Sequence, residues 1–464
     1  MEKLAEGAIV TVMHRHKLRK NLTNIATGSL FLASLFLSVP QAYAVELPDP
    51  IRDSDYRPFD PVRAKLGQLL FYDKILSGNR NISCSTCHAI EHGTSDGLPL
   101  GIGEGGIGVG HKRRFADGAD KPFKRVPRNS PALFNLGHKS ISVMFHDGRV
   151  TSQDSYGVGF NTPVEEWLPE GLQSIVAAQA LMPLTSEVEM AGSREENEVA
   201  AAANRRIDNV WPALVARVAA VPEYVDLFVT AYPDIEVQAD ITAVHIANAL
   251  DDFQSSEWRS TASPFDAYLN GDIDALTDQQ TQGMELFYGK ANCSTCHSGP
   301  LLTDQQFHAL AVPPFGPGRV RKFDPYARDV GRMSETDQLE DAYRFRTPSL
   351  RNVTLTGPWG HNGAFGTLEA TVRHHLDPEG SFKTWSREQV QLPPDPAFAA
   401  TDFVIWEDQR EISRIKAKYD IQPVGLLDVE VKAILSFLEA LTDDGALNGR
   451  LGKPEKVPSG LPID

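Results

Sequence analysis

The sequence predicts a mainly α protein built on a duplicated unit, and three observations predict it. Apolar residues recur at helical spacing in several stretches, strand-like alternation is sparse, and the pentapeptide CSTCH occurs twice behind the similar runs "LGQLLFYDK" and "QGMELFYGK". A first helix is expected over "DPVRAKLGQLLFY", where Asp60 supplies the N-cap and Pro61 the first-turn proline. A second is expected over "LTDQQTQGMELFY", capped by Thr277 or Asp278. A third lies in "LLDVEVKAILSFLEALTDDG", which sets Val429, Val431, Ile434, Leu435 and Leu438 at helical spacing and stops at Asp-Asp-Gly. A helix therefore leads into each pentapeptide, and a late helix is available to close one of the two units. The apolar stripes themselves read as core packing.

The two pentapeptides use all four cysteines of the chain: Cys84, Cys87 and His88 in the first, Cys293, Cys296 and His297 in the second. Three chemistries can use paired C-x-x-C motifs: two disulfides, one zinc site sharing four thiolates, or two covalently attached haems. Only the last accounts for the histidine. In C-x-x-C-H the thiols bond to the haem vinyl groups and the adjacent imidazole becomes the proximal iron ligand. A disulfide has no use for a histidine at that place, and zinc sites usually draw their thiol pairs from closer in sequence than Cys87 and Cys293. The expected cofactors are two haem c groups.

Haem attachment of this kind takes place outside the bacterial cytoplasm, and the N-terminus agrees. A basic stretch "HRHKLRKN" precedes the uncharged run "IATGSLFLASLFLSV" and the small residues "QAYA", so residues 1–44 read as a signal peptide cleaved after Ala44, with the first dozen residues an upstream extension before Met13. The run is short for a membrane span, and no later segment is expected to cross a bilayer. The expected location is the periplasm. The 464-residue chain has room for two or more domains, and its net charge of −16 argues against a nucleic-acid partner. Taking the net +3 of residues 1–44 from −16 leaves −19 for the exported chain.

The segment "GLPLGIGEGGIGVGH" contains Gly101, Gly103 and Gly106 in G-x-G-x-x-G order, yet no strand pattern precedes it and no helix start follows, so a nucleotide fold is excluded. It reads as a flexible loop that delivers His111.

With the runs "PRNSPALFNLG", "AQALMPLTSEVEMAG" and "FRTPSLRNVTLTGPWGHNGAFGTLEATV" beside the two C-x-x-C-H motifs, the chain resembles the bacterial dihaem cytochrome c peroxidase and MauG superfamily over most of its length. The resemblance implies two cytochrome-c-like haem domains, the N-terminal haem meeting peroxide and the C-terminal haem passing electrons. On that basis residues 45–265 are expected to form the peroxidatic domain and 266–427 the electron-transfer domain, with 428–464 a C-terminal helix and tail packing on a haem domain. The stretches 112–125, 150–175 and 377–427 exceed what a compact member needs.

The family's peroxide pocket is a Gln-x3-Pro-x5-Glu-Met pattern, met here by Gln179, Pro183, Glu189 and Met190. Cleaving peroxide heterolytically needs a base that takes a proton from one oxygen and returns it to the other, which a carboxylate can do. Glu189 is the expected acid-base group and Gln179 the hydrogen-bond donor that orients peroxide, while Glu187 is the neighbour to be told apart. The resemblance also places the ligand that closes the second haem just before the F-R-T-P run, where "EDAYRFRTPSLRN" presents Tyr343, with Met333 the rival. Two departures stand out. His146 in "MFHDGR" occupies the position where the family commonly has a tryptophan between its haems, and His111, a candidate catalytic residue that reads either as a gate at the N-terminal haem or as a surface-loop histidine, stands farther from Arg128 and Asn129 than the family's gating histidine does. The family's interdomain calcium implies Asn129 as a side-chain ligand and the carbonyls of Ala311 and Pro313 as further donors. His361 reads as a supporting or packing histidine, and His374 and His375 as helix-end residues.

The expectation is a dihaem c-type peroxidase that reduces hydrogen peroxide with electrons from a small donor such as a cytochrome c or cupredoxin. The alternatives are a MauG-type enzyme oxidising side chains of a partner protein, which Tyr343 favours and His146 disfavours, and a dihaem electron carrier without peroxide chemistry, against which Gln179 and Glu189 speak.

Overall fold

The computed structural model describes residues 46–118, 121–203, 206–319 and 328–464. The expected signal peptide lies outside the described residues, and no described helix is long and apolar enough to cross a membrane.

The first expected helix is α1 (Pro61–Tyr72), where the Asp60 carboxylate accepts the backbone N–H groups of Val62 and Arg63. It crosses α2 (Ala243–Glu257) at Gly67, where a Cβ would fall 1.9 Å from the Ala249 carbonyl oxygen and 2.9 Å from Cβ of Phe253. The second motif repeats the device. There α3 (Asp278–Tyr288) is capped by Thr277 and is followed in the chain by α4 (Leu368–Leu376) and the late helix α5 (Asp428–Glu439). Gly283 of α3 meets α5 so closely that a Cβ would fall 1.9 Å from the Ala433 carbonyl oxygen and 2.8 Å from Cβ of Phe437. The glycine shared by the two sequence repeats thus does the same work twice: it lets two helix backbones touch.

Each crossing seeds an apolar core. Phe71, Phe253 and Trp258 pack with ring centres 5.2–5.5 Å apart in the first, an arrangement worth about 0.5–1.5 kcal/mol per pair beyond area burial. Phe265, Phe287 and Phe437 do the same in the second, at 5.1 and 5.3 Å. Within residues 428–464, α5 belongs to the second core, whereas Val457 of the tail is buried in the first. The Gln68 amide of α1 donates to the Leu451 and Gly452 carbonyls, and Ser459 donates to Asp73, so the tail is tied to α1 and the turn after it.

The described strands form three two-residue antiparallel pairs. One of them, Val143–Met144 against Val150–Thr151, holds the "FHDGR" residues as a hairpin tip, with Phe145 and Gly148 both at positive φ. Two of the unassigned stretches zip together. Arg125 makes a buried bidentate pair with Asp402 at 2.8 and 2.9 Å, and Phe115 packs on Phe398 at 4.8 Å.

Candidate functional site

Both CSTCH motifs open onto one continuous cavity of about 980 Å³, walled by Cys84, Cys87, His88, Cys293, Cys296 and His297 together with largely apolar side chains. That is at the upper end of the roughly 300–1,000 Å³ of ordinary cofactor pockets. Two details fit c-type haem. The four cysteines form no disulfide, and burial pushes the Cys84, Cys87 and Cys293 thiols up to about 12. The two histidines are held identically: Nδ1–H of His88 donates to the Thr94 carbonyl at 3.0 Å and that of His297 to the Leu302 carbonyl at 3.1 Å. Each bond fixes the tautomer and leaves Nε2 as the free metal ligand. Burial also keeps both rings neutral, lowering His88 below the usual imidazole range and His297 to about 4. A Cys296, Asp304 and His308 group, with ligand atoms within 4.8 Å of one another, is the one such metal-capable cluster among the described residues, and a thioether at Cys296 would remove its thiolate from that set.

The spacing-based pair Gln179 and Glu189 lines this same cavity. Glu189 sits in a widened helical turn, Glu187–Ala191, closed by an i to i+5 hydrogen bond from Ala191 N–H to the Ser186 carbonyl at 2.9 Å. The turn decides which glutamate is which: Glu189 faces the cavity and Glu187 is exposed. Desolvation raises the Glu189 carboxyl above its ordinary range, opposed by Arg149, whose Nη2 lies 4.0 Å from Oε1. Arg149 comes from the hairpin tip, stacked 3.6 Å over Phe145 and bonded to Asp147 at 3.3 Å. Asp147 is fully buried and also paired with Arg128 at 2.6 Å and Arg319 at 2.7 Å. Burial opposes its charge, but the three guanidinium groups hold its carboxyl well below the usual range.

The glycine segment has a different role from the one expected. A Cβ at Gly103 would fall 1.9 Å from the Val188 carbonyl oxygen and 2.9 Å from Cα of Glu189, so the loop is a close-fitting support for the Glu189 turn. Arg113 clamps it from behind, donating to the carbonyls of Ile102, Gly103 and Gly108. His111 is not delivered to the cavity; it is exposed, its ring 4.9 Å from that of His92. A catalytic role for His111 finds no support in this placement.

The Tyr343 expectation also changes. Tyr343 is buried and reaches the cavity wall, but its hydroxyl donates to Glu411 at 2.7 Å, and Glu411 is itself 1% exposed and paired with Arg328 and Arg414. Burial and that carboxylate raise the phenol above its ordinary range, so it stands as a neutral, engaged hydrogen-bond donor and not as a ready anionic ligand. Met333 packs beside it, away from the cavity wall. His375, read from the sequence only as a helix-end residue, lines the cavity with its ring centre 6.4 Å from that of His297. The only signal for it was the periodicity of α4, whose Leu368, Thr371, Val372, His375 and Leu376 share the cavity-facing side.

Of the residues named for calcium, Asn129 and Ala311 line the cavity and Pro313 does not. The Asn129 side-chain N–H donates to the Leu98 carbonyl at 2.7 Å, a bond that does not use the amide oxygen a cation would take, and the Pro313 carbonyl accepts from Asn362 at 2.9 Å. His146 also reaches the cavity, with Nε2–H donating to the Asn129 carbonyl at 3.1 Å; burial, then Arg128, lowers it to about 4 and keeps it uncharged. His361 stacks on Phe345 at 3.5 Å with planes 10° apart, the packing role expected of it.

A helical protein with paired C-x-x-C-H motifs on one cavity and a cavity-facing glutamate defines a dihaem oxidoreductase. The di-haem cytochrome c peroxidase family model matches residues 61–274. The chain is 30% identical over 329 residues to the methylamine utilization protein MauG of Methylorubrum extorquens, covering 71% of this chain and 72% of that one. It is 29% identical over 330 residues to the cytochrome c551 peroxidase of Pseudomonas aeruginosa, covering 70% and 75%. Among solved structures, a MauG-like protein associated with microbial copper homeostasis superposes with a TM-score of 0.57 at 24% identity, over 89% of this chain and 96% of that chain. The diheme peroxidase BthA of Burkholderia thailandensis gives 0.53 at 20%, over 87% and 92%, so the likeness in fold extends beyond the family-model match. The chain belongs to the dihaem cytochrome c peroxidase and MauG superfamily and is a haem oxidoreductase of peroxidase type.

Proposed function

We propose that this protein is a periplasmic dihaem c-type peroxidase that reduces hydrogen peroxide to water with electrons from a small redox protein such as a cytochrome c or cupredoxin. Two haem units carry it: the first attached at Cys84 and Cys87 with His88 as ligand, the second at Cys293 and Cys296 with His297. When bound, the haems would relay the donor's electrons and supply the metal site at which the O–O bond breaks. The protein supplies a largely apolar cavity and the proton path. The observation that carries the reading is the Glu189 turn, which presents one carboxylate to the cavity beside Gln179 and turns its neighbour Glu187 to solvent. Glu189, partly neutralised by Arg149 at 4.0 Å, takes a proton from one peroxide oxygen and returns it to the other, and Gln179 orients the substrate.

The match to MauG keeps a second reading in view, in which the same oxidising centre acts on a partner protein's side chains. Steady-state turnover separates the two: a peroxidase consumes peroxide continuously with reduced cytochrome c alone. Glu189→Gln, with both haems retained, is expected to slow that turnover by about 10² to 10⁴-fold, the usual share of acid-base catalysis. A near wild-type rate under saturating reduced donor overturns the assignment.

A further inference from the structure

We propose that His375 is the second axial ligand of the haem held at Cys293 and Cys296, so that this haem is closed by two imidazoles, those of His297 and His375. The inference rests on reading residues 293–297 as a haem attachment site and goes beyond it by naming the group that shuts the haem to substrate.

The separation of the rings is the first observation. Their centres lie 6.4 Å apart with planes at 51°. A metal–imidazole bond of about 2 Å on each side plus the radii of the two rings puts the ring centres roughly 6 Å apart. The pair is spaced as two ligands of one metal, and both rings wall the same cavity.

The second observation is which nitrogens are free. Nδ1–H of His297 donates to the Leu302 carbonyl at 3.1 Å, and that of His375 donates to the Thr371 carbonyl one turn back in α4 at 2.8 Å. Both rings therefore hold the same tautomer and present Nε2 as a lone pair, the arrangement that a carbonyl-tethered metal-ligating histidine shows. Its neighbour His374 is excluded: Nε2 contacts the Leu310 carbonyl at 2.7 Å and Nδ1 the Ser381 hydroxyl at 3.1 Å, and the ring is fully buried off the cavity. Tyr343 is excluded by its bond to Glu411.

The third is mechanical. α4 is capped by Thr367 and fastened past its end by the Val424 N–H on the Leu376 carbonyl at 2.9 Å, so the His375 turn is held at both ends. A haem closed by two nitrogen ligands has no open position for peroxide. It also sits at lower potential than one closed by histidine and methionine, because a thioether raises the potential.

The test uses the full-length, haem-loaded protein and reads spin state by electron paramagnetic resonance, a quantity independent of turnover. In the oxidised protein the second haem is expected to give a low-spin signal without the absorption band of thioether ligation. His375→Ala is expected to convert that signal almost completely to high spin while pyridine haemochrome still finds two c-type haems per chain. Added imidazole is expected to restore it. His375→Met is expected to move the midpoint potential upward, and Tyr343→Phe to leave the low-spin signal in place. A low-spin signal that survives His375→Ala with both haems attached, or that is lost in Tyr343→Phe, overturns the proposal and leaves the haem reading standing. Absence of haem at residues 293–297 removes both.

Discussion

Replacing Arg149 with methionine tests how the cavity handles protons. Arg149 Nη2 stands 4.0 Å from Glu189 Oε1. At that distance a pair of unit charges interacts by about 1 kcal/mol in bulk water and about 4 kcal/mol at an effective dielectric constant near 20. At about 1.36 kcal/mol per pH unit, loss of the guanidinium should raise the Glu189 pKa by about one to three units. The sign is unambiguous. Burial already raises this carboxyl, Arg149 is the foremost group lowering it, and the neighbouring Asp147 pushes it the same way as burial. Asp147 stays ionised in the variant because Arg128 and Arg319 remain on it. Glu189 must be ionised to accept a proton, so turnover rises with pH as it deprotonates, and in Arg149→Met that rise should move to higher pH. The assay is kcat/KM for peroxide across pH with saturating reduced donor, on proteins shown to carry both haems. Glu187→Gln, on the exposed neighbour, should leave the profile in place. An acid limb that does not move in Arg149→Met, or that moves downward, refutes Glu189 as the titrating base.

Gly283→Ala forces a methyl group to within 1.9 Å of the Ala433 carbonyl and should cost at least the roughly 1–3 kcal/mol of core overpacking, whereas Gly425→Ala, with nothing within 4 Å, should change little. Thermal unfolding of the two variants decides it, and equal melting temperatures would refute the close-crossing argument. Asp147→Asn removes the buried carboxylate shared by Arg128, Arg149 and Arg319, leaving Arg128 its pair with Asp329 and Arg319 its pair with Glu335, and should cost about 3 kcal/mol at neutral pH, the low end for breaking a buried pair. Because its carboxyl is held low when folded, that stability is present above the unfolded value of about 4 and is lost as pH falls through the folded value. Denaturant titrations should therefore show the gap between wild type and Asp147→Asn narrowing in acid, and a pH-independent gap would argue against the ion cluster as its source.

What the sequence by itself determined is local or repeated. The helices at Pro61–Tyr72, Asp278–Tyr288 and Asp428–Glu439 were legible because their caps and apolar spacing are short-range signals. The haem motifs were legible because covalent attachment demands a fixed run of five residues. Gln179 and Glu189 were legible because their spacing matched a known pattern, and the widened turn that faces Glu189 inward spans only five residues. The tertiary structure alone decided between partners far apart in the chain. Tyr343 reads as a ligand, with Met333 its rival, until Glu411, 68 residues beyond Tyr343, takes the phenol's hydrogen bond, and His375 reads as a helix-end residue until α4 sets its ring 6.4 Å from that of His297. His111 and the glycine loop read as a gate until the loop proves to be packed under Glu189. The stretches around Arg125 and Asp402, 277 residues apart, carry no mark that they bind each other. The physical reason is one of range: hydrogen bonding and periodicity act within a few residues and leave a trace in the order of letters, whereas which side chain reaches a cavity depends on how helices cross, and at Gly67 and Gly283 that crossing is set by the contact of two backbones.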